Sequence, residues 1–202
     1  MGRLTKGTER EAEILAVARE TLVTGGVDGF VLRTIAERCG IKLGNLQYYF
    51  ATRDDLLEAL LLAEAAADLG VLRARRSDNP ELDLRRTIGE LIERWGATGQ
   101  TIYLPIAALS VANPRLRDRW STIYHSFYDA VGELVQRIDT AATQEETKIR
   151  AMKITALLDG AFVQAHVELD HDLRAVMAAE FLAETLRIAR GSRDPMTVAA
   201  GS

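Results

Sequence analysis

The fold of this chain is decided by residues 32–50, which read LRTIAERCGIKLGNLQYYF. The spacing of apolar residues predicts two short helices, at about Leu32 to Cys39 and Leu43 to Tyr49. The turn between them contains Gly40, and glycine adopts the positive φ of a sharp turn without steric cost. Two helices joined in this way are typical of a helix-turn-helix, whose second helix can enter the major groove of DNA.

The side chains of the second helix suit contact with DNA. Leu46 and Phe50 are four residues apart and are predicted to pack inward. Lysine suits a phosphate, asparagine and glutamine can bind an adenine edge, and tyrosine can bind phosphate or stack on a sugar. The residues placed to make such contacts are Lys42, Asn45, Tyr48 and Tyr49, with Arg33 on the preceding helix. The alternative is a helical corner whose polar residues only face water, although two exposed tyrosines are unusual on such a surface.

The composition predicts a folded, all-α chain of 202 residues. Hydrophobic residues make up 48% and charged residues 27%, which excludes a disordered chain. The single cysteine, Cys39, excludes an internal disulfide and indicates a reducing compartment. The first residues lack the apolar core of a signal peptide, and no stretch approaches the roughly 20 apolar residues of a membrane span. We therefore expect a cytoplasmic protein without a membrane partner.

The charge is distributed unevenly along the chain. The net charge is −4, yet residues 1–53 carry eight Lys/Arg against six Asp/Glu, whereas residues 54–202 carry seventeen against twenty-three. A cationic N-terminal part on an acidic body supports nucleic-acid binding weakly.

Helical periodicity predicts nine helices, three in an N-terminal head and the rest in a larger bundle. The first is predicted to begin at the N-cap Thr8 and to stop at Gly25 and Gly26. Those after the head are predicted at about Arg53–Arg75, Leu82–Ala97, Tyr103–Val111, Pro114–Asp139, Gln144–Leu169 and Leu173–Arg190. Thr52, Asn113 and Thr143 are predicted to cap three of them. The predicted domains are a head over 1–53, a helical effector-binding and dimerisation domain over 54–190, and a disordered tail over 191–202.

Residues 10–62 resemble the N-terminal module of the tetracycline-repressor (TetR/AcrR) family. The resemblance rests on GVDGF (26–30), LRTIAERCGI (32–41), GNLQYYF (44–50) and TRDDLL (52–57). It implies a homodimeric, ligand-responsive transcriptional regulator, most often a repressor, that leaves a palindromic operator when a small hydrophobic effector binds. By position, the DNA contacts of the family fall on Arg33, Lys42, Gly44, Asn45, Gln47, Tyr48, Tyr49 and Arg53.

Three residues depart from the family pattern. Val31 and Lys42 stand where the family usually has a Ser or Thr that caps the helix, so both caps are expected to be weaker. Gln47 replaces a tyrosine that commonly binds phosphate, and glutamine can bind either a base or a phosphate.

The body contains aromatic residues that could line an effector pocket. A ligand pocket needs an apolar lining with a few hydrogen-bonding groups, and no cluster of Arg or Lys lies among these residues, which favours a neutral or weakly polar ligand. The candidates are Trp95, Tyr103, Trp120, Tyr124, Phe127, Tyr128 and Phe162. The alternative for each is ordinary core packing.

The family builds its dimer from the last two helices as a four-helix bundle. Carried over by position, this implies an interface at Ala156, Gly160, Gln164, Phe181, Leu182 and Leu186. The alternative is that these helices only complete the core of the monomer.

The sequence contains no pattern that indicates catalysis. A glycine-rich phosphate loop, Gly-x-Ser-x-Gly and His-Glu-x-x-His are all missing, so we expect no catalytic residue and no cofactor. Glu168 and His171 have metal-ligand spacing, but a di-iron bundle needs a second copy, so polar residues at a helix end are the expected interpretation. The rival functions are an all-helical enzyme that uses the body pocket and a helical adaptor that binds a protein.

Overall fold

The computed structural model describes residues 2–95, 100–164 and 171–191, and the side chains of residues 7–95, 101–164 and 176–191. Within this part of the chain the fold is all-α, as predicted, with nine helices and no strand. They are α1 (Gly2–Gly29), α2 (Leu32–Arg38), α3 (Leu43–Tyr49), α4 (Arg53–Ala74), α5 (Pro80–Arg94), α6 (Gln100–Ala112), α7 (Pro114–Ile138), α8 (Gln144–Gln164) and α9 (His171–Arg190). Among these residues, no helix has both the length and the apolar composition that crossing a bilayer requires.

The first helix differs most from its prediction. It begins at Gly2, so Thr8 is not an N-cap: the backbone is already helical upstream of it. The predicted stop is present as a kink, because Gly26 has φ 61° and ψ −167° inside the span. That region of backbone space is essentially restricted to glycine.

The turn between α2 and α3 is closed by two backbone hydrogen bonds. The amide of Gly40 donates to the carbonyl of Glu37 and that of Ile41 to the carbonyl of Ala36, both at 3.0 Å. Gly40 has φ +66°, as the sequence predicted, which is the left-handed residue of a Schellman motif. This turn fixes the direction in which α3 leaves α2.

Other helix starts are capped by side chains, as predicted. The amide of Asp55 donates to Thr52 Oγ1 at 3.1 Å, and the amide of Thr52 donates back to Asp55 Oδ2 at 3.0 Å. Thr143 and Glu146 form the same reciprocal pair at the start of α8. Each pair satisfies two backbone N–H groups that a helix N-terminus leaves unpaired.

The described residues form two compact units. The first contains those up to Asp68 and those from Arg94 to Tyr124, and in it α1 packs against α2 and α6 while α2 packs against α3. The second contains those from Leu69 to Glu93 and from His125 onward, and in it α8 packs against α9. The predicted division after residue 53 is one of function and stays a prediction, and the predicted tail from 192 onward lies outside the described residues.

Candidate nucleic-acid interface

Helix α3 presents a polar face to solvent, and its predicted orientation is confirmed. Leu46 is fully buried and Phe50 is 4% exposed, so both pack inward. Tyr48 is 84% exposed, the highest exposure among the large apolar or aromatic side chains that the structure describes. The remaining predicted contact residues on this surface are also exposed, except for the half-buried Tyr49; they are Arg33, Lys42, Gly44, Asn45 and Gln47.

The two tyrosines of α3 form a pair. Their rings meet edge to face, with centroids 5.3 Å apart and planes at 89°. Such geometry is favourable for aromatic rings, and the half-buried Tyr49 therefore restricts the ring of Tyr48 beside it. The contact with Tyr49 thus favours one orientation of the exposed Tyr48 ring.

Gly44 lies on the same outward face, as the second residue of the seven-residue α3. A methyl group added there would meet no atom within 4 Å. Packing inside the chain therefore does not require a glycine, although glycine destabilises a helix by roughly 0.5–1 kcal/mol relative to alanine. The missing side chain is explained if an external surface approaches the α3 backbone closely.

An open groove of about 570 Å³ runs beside α3. Arg33 from α2, Gln47 from α3 and Arg53 from α4 line it, so three predicted DNA contacts from different helices face one depression. Its other lining residues are Val27, Asp28, Phe30, Val31, Leu32 and Leu43.

Arg53 has a structural role that the sequence did not indicate. Its Nε donates to the carbonyl of Phe30 at 3.0 Å and its Nη2 to the carbonyl of Val27 at 2.8 Å. The guanidinium thus joins the start of α4 to the turn between α1 and α2. A phosphate contact by Arg53 stays a prediction.

Two of the departures from the family pattern lie at helix N-caps. Neither Val31 before α2 nor Lys42 before α3 makes a side-chain capping hydrogen bond. Both helices belong to the surface predicted to meet DNA.

A buried carboxylate lies among the candidate effector residues. Asp68 is 1% exposed and accepts hydrogen bonds from Arg94 Nε at 2.8 Å, Trp95 Nε1 at 2.7 Å and the Tyr103 hydroxyl at 2.6 Å. Burial, with the charge of Asp68, raises the pKa of Tyr103 far above its usual value, so the phenol stays protonated and keeps donating. The sequence analysis did not select Asp68. The feature that could have indicated it is an acidic residue within the apolar part of α4.

The structure brings four of the seven candidate effector residues together in the first unit. The ring of Trp120 lies 6.4 Å from that of Tyr103 and 5.7 Å from that of Tyr124, centroid to centroid. Trp95 is linked to Tyr103 because both side chains donate to Asp68. The other three, Phe127, Tyr128 and Phe162, belong to the second unit and are half-buried.

The predicted dimer residues divide by exposure. On α8, Ala156 and Gln164 are exposed and Gly160 is half-buried, and on α9 Phe181 and Leu182 are half-buried. The prediction that Leu186 lies in the dimer interface is wrong. Its side chain is only 2% exposed within the single chain, so it belongs to the monomer core. Exposed apolar side chains that the sequence reasoning did not select also lie on these helices, namely Ile149, Met152, Val163, Val176 and Met177.

The pair with metal-ligand spacing, Glu168 and His171, lies partly outside the described residues. Glu168 falls in the range 165–170, and the side chain of His171 is not described. Among the residues whose positions are described, no three His, Cys, Asp or Glu side chains are grouped so that they could hold a metal ion.

Comparison with known proteins agrees with this geometry. Residues 14–60 match the family described as bacterial regulatory proteins, tetR family. The chain is 25% identical over 161 residues to the transcriptional regulator BetI of Burkholderia thailandensis, covering 77% of this chain and 80% of BetI. It is 29% identical over 135 residues to the transcriptional repressor AcnR of Corynebacterium diphtheriae, covering 66% and 67%.

Solved structures show the same fold. A transcriptional regulator from Saccharomonospora viridis, solved in complex with choline, superposes with a TM-score of 0.71 at 17% identity, covering 87% of this chain and 96% of that one. The helix-turn-helix and the helical body define a DNA-binding transcriptional regulator rather than an enzyme. The family model over residues 14–60 and the curated relatives indicate a transcriptional regulator of the TetR family.

The open space at Gly44 generates a prediction in which stability and binding change in opposite directions. Gly44→Ala should raise the free energy of unfolding by roughly 0.5–1 kcal/mol, because alanine favours the helix and meets no atom of the chain. The same variant should weaken DNA binding, because the methyl group occupies the space of the approaching partner. Thermal unfolding and fluorescence anisotropy with labelled DNA measure the two effects, and unchanged DNA affinity would show that Gly44 does not face DNA.

Proposed function

We propose that this regulator is a homodimeric repressor that binds a palindromic operator in the cytoplasm and leaves it when a small hydrophobic effector binds. The exposed face of α3 carries the proposal, because it combines donors, acceptors and an ordered tyrosine on a helix of the size that fits a major groove. The relative AcnR is a transcriptional repressor, which supports repression rather than activation.

We further propose that Gln47 contacts the DNA backbone rather than a base. Its place in one groove with Arg33 supports this proposal, because arginine and glutamine side chains can both donate to phosphate oxygens.

Two substitutions should distinguish a residue that recognises bases from one that binds the phosphate backbone. Lys42→Ala should weaken binding to all duplexes and reduce the slope of log affinity against log salt by about one, because it removes one phosphate contact. Asn45→Ala should instead reduce the preference for the operator over a scrambled duplex. The DNA is selected from a random pool by the wild-type protein, and affinities are measured at several salt concentrations.

The control for this pair is Gln47→Ala, which should behave like Lys42→Ala except for a smaller change in slope, since glutamine is uncharged. If wild type enriched no sequence, the adaptor or enzyme alternatives would replace the regulator proposed here. If Lys42→Ala altered sequence preference and Asn45→Ala did not, the two roles would be exchanged.

Dimerisation is proposed through α8 and α9. Five apolar side chains on these helices are 44% to 57% exposed in the single chain, which is costly in water unless a partner covers them. A methyl group at Gly160 would meet no atom within 4 Å, so this position has room for a neighbouring helix.

Gly160→Trp should therefore produce monomers, because the indole occupies the room that a second copy needs. Gly160→Ala is the matched control and should remain a dimer with at least wild-type thermal stability. Sedimentation velocity at micromolar concentration reads the mass directly. A monomeric wild type, or a dimeric Gly160→Trp, would contradict the proposed interface.

The effector is proposed to bind at the aromatic group of the first unit, Tyr103, Trp120 and Tyr124, beside Trp95. Asp68 already accepts three hydrogen bonds, one of them from the phenol of Tyr103, so the aromatic rings are the proposed recognising groups. The choline bound by the Saccharomonospora viridis protein supports a small-molecule site in this fold.

Tyr124→Ala tests this site. A compound library is screened against wild type for release of labelled operator, and the most active compound is the probe. Tyr124→Ala should need about tenfold more of it, equivalent to about 1.4 kcal/mol of lost contact, while binding operator normally in its absence. Tyr124→Phe, which keeps the ring, should lie between the two. Joint loss of DNA binding and of the ligand response would mean that Tyr124 is a core residue.

A further inference from the structure

The first two turns of α4 are fastened to the first turn of α7 by a set of polar contacts. Asn113 Nδ2 donates to Asp54 Oδ2 at 2.8 Å, and Arg115 Nη1 donates to Asp55 Oδ1 at 2.7 Å. Together with Glu58 and Arg119, described next, these residues form a cluster that we call the α4–α7 clamp.

Glu58 is the buried member of the clamp. Only 5% of it is exposed, and its two oxygens lie 2.5 Å from Arg119 Nε and 2.6 Å from Arg115 Nε. The two arginines are more than half exposed, so their charges remain partly hydrated. Removing an arginine leaves a buried carboxylate underpaired, which costs far more than the loss of an exposed ion pair.

The clamp is continuous with the cap that begins α4. One oxygen of Asp55 binds Thr52 in that cap, and the other binds Arg115. Hydrogen bonds from Thr52, and next from Arg115, hold the pKa of Asp55 below its usual value, so the carboxylate stays charged.

The start of α4 is also the end of the recognition unit. Phe50, the buried residue that ends α3, is separated from α4 by Ala51 and Thr52 alone. Leu56 and Leu57, in the first two turns of α4, are fully buried. A displacement of these turns therefore acts on α3 through a connection of only two residues.

The other side of the clamp adjoins the proposed effector site. Trp120 directly follows Arg119 on α7, and its ring contacts those of Tyr103 and Tyr124. An effector that moved Trp120 would also displace Arg119, the residue before it on α7, which contacts Glu58.

We propose that Asn113, Arg115 and Arg119 are positioning residues for DNA recognition, which hold the start of α4, and through it α3, in the orientation that reads the operator. The proposal rests on the proposed function as an operator-binding regulator. The residues lie on α7, outside the helix-turn-helix, and act through Asp54, Asp55 and Glu58 rather than by touching DNA. An effector at the aromatic group would release DNA by disturbing the same contacts, because a ligand shifts an equilibrium only through contacts that differ between its two states.

The test compares Arg119→Gln with Arg117→Gln, which removes the same charge from the same turn of α7. Arg117 donates to the carbonyl of Val111, near the end of α6, at 3.5 Å rather than to a carboxylate of α4, and is the matched control. Both variants and wild type are titrated with the duplex enriched by wild type from the random pool and with a scrambled duplex. If the reading orientation becomes populated about one tenth of the time, Arg119→Gln loses about tenfold in operator affinity.

The readout is the ratio of operator affinity to scrambled-duplex affinity. It should fall about tenfold in Arg119→Gln and stay within about twofold of wild type in Arg117→Gln, because both lose the same non-specific electrostatic term. Arg119→Lys, which restores a cation beside Glu58, should recover most of the ratio. Arg115→Gln should lower it as well.

Equal ratios in Arg119→Gln and Arg117→Gln would overturn the clamp, as would a lysine variant that recovers stability and not the ratio. If Arg119→Gln melts below the assay temperature, amide hydrogen exchange over residues 43–49 is compared between wild type, Arg115→Gln and Arg117→Gln. Faster exchange confined to Arg115→Gln supports the proposal, and equal exchange in the two variants overturns it. Failure of wild type to enrich any DNA would instead overturn the proposed function.

Discussion

The structure depends on the anchoring of a helix that is too short to be stable alone. Helix α3 has seven residues, whereas isolated helices shorter than roughly 12–15 residues are marginal in water. Leu46 is its one fully buried side chain, and Phe50 follows at the C-cap. The Schellman turn at Gly40 sets the entry of α3 and Phe50 sets its exit. Every residue proposed to meet DNA on this helix owes its direction to those anchors.

Stability is distributed according to this role. The starts of α4 and α8 carry complete reciprocal caps, whereas α2 and α3 carry no side-chain cap and α3 contains Gly44. These local weaknesses fall on the surface proposed to meet DNA, where space and unpaired donors are useful to a partner. Arg53 compensates from outside by binding the carbonyls of Val27 and Phe30.

Acidic residues within the otherwise apolar α4 organise the first unit. Glu58 and Asp68 are both buried, and each draws donors from other helices: Glu58 from α7, and Asp68 from Arg94 of α5, Trp95 and Tyr103 of α6. Ten residues of helix, or about 15 Å, separate them along α4. Glu58 therefore joins α4 to the start of α7, near the recognition unit. Asp68 joins the same helix to the proposed effector site.

Local periodicity in the sequence was enough to determine the all-α class, the bounds of α3, the turn at Gly40 and the caps of α4 and α8, because these depend on neighbours within four residues. It also determined which side chains of α3 face out, since inward packing follows from helical spacing. Tertiary structure decided the structural role of Arg53, the burial of Leu186 and the partners of Glu58 and Asp68. Each joins residues more than twenty positions apart or depends on what a neighbouring helix covers. A single chain read in order contains no signal for such pairings beyond the presence of a charge in an apolar helix.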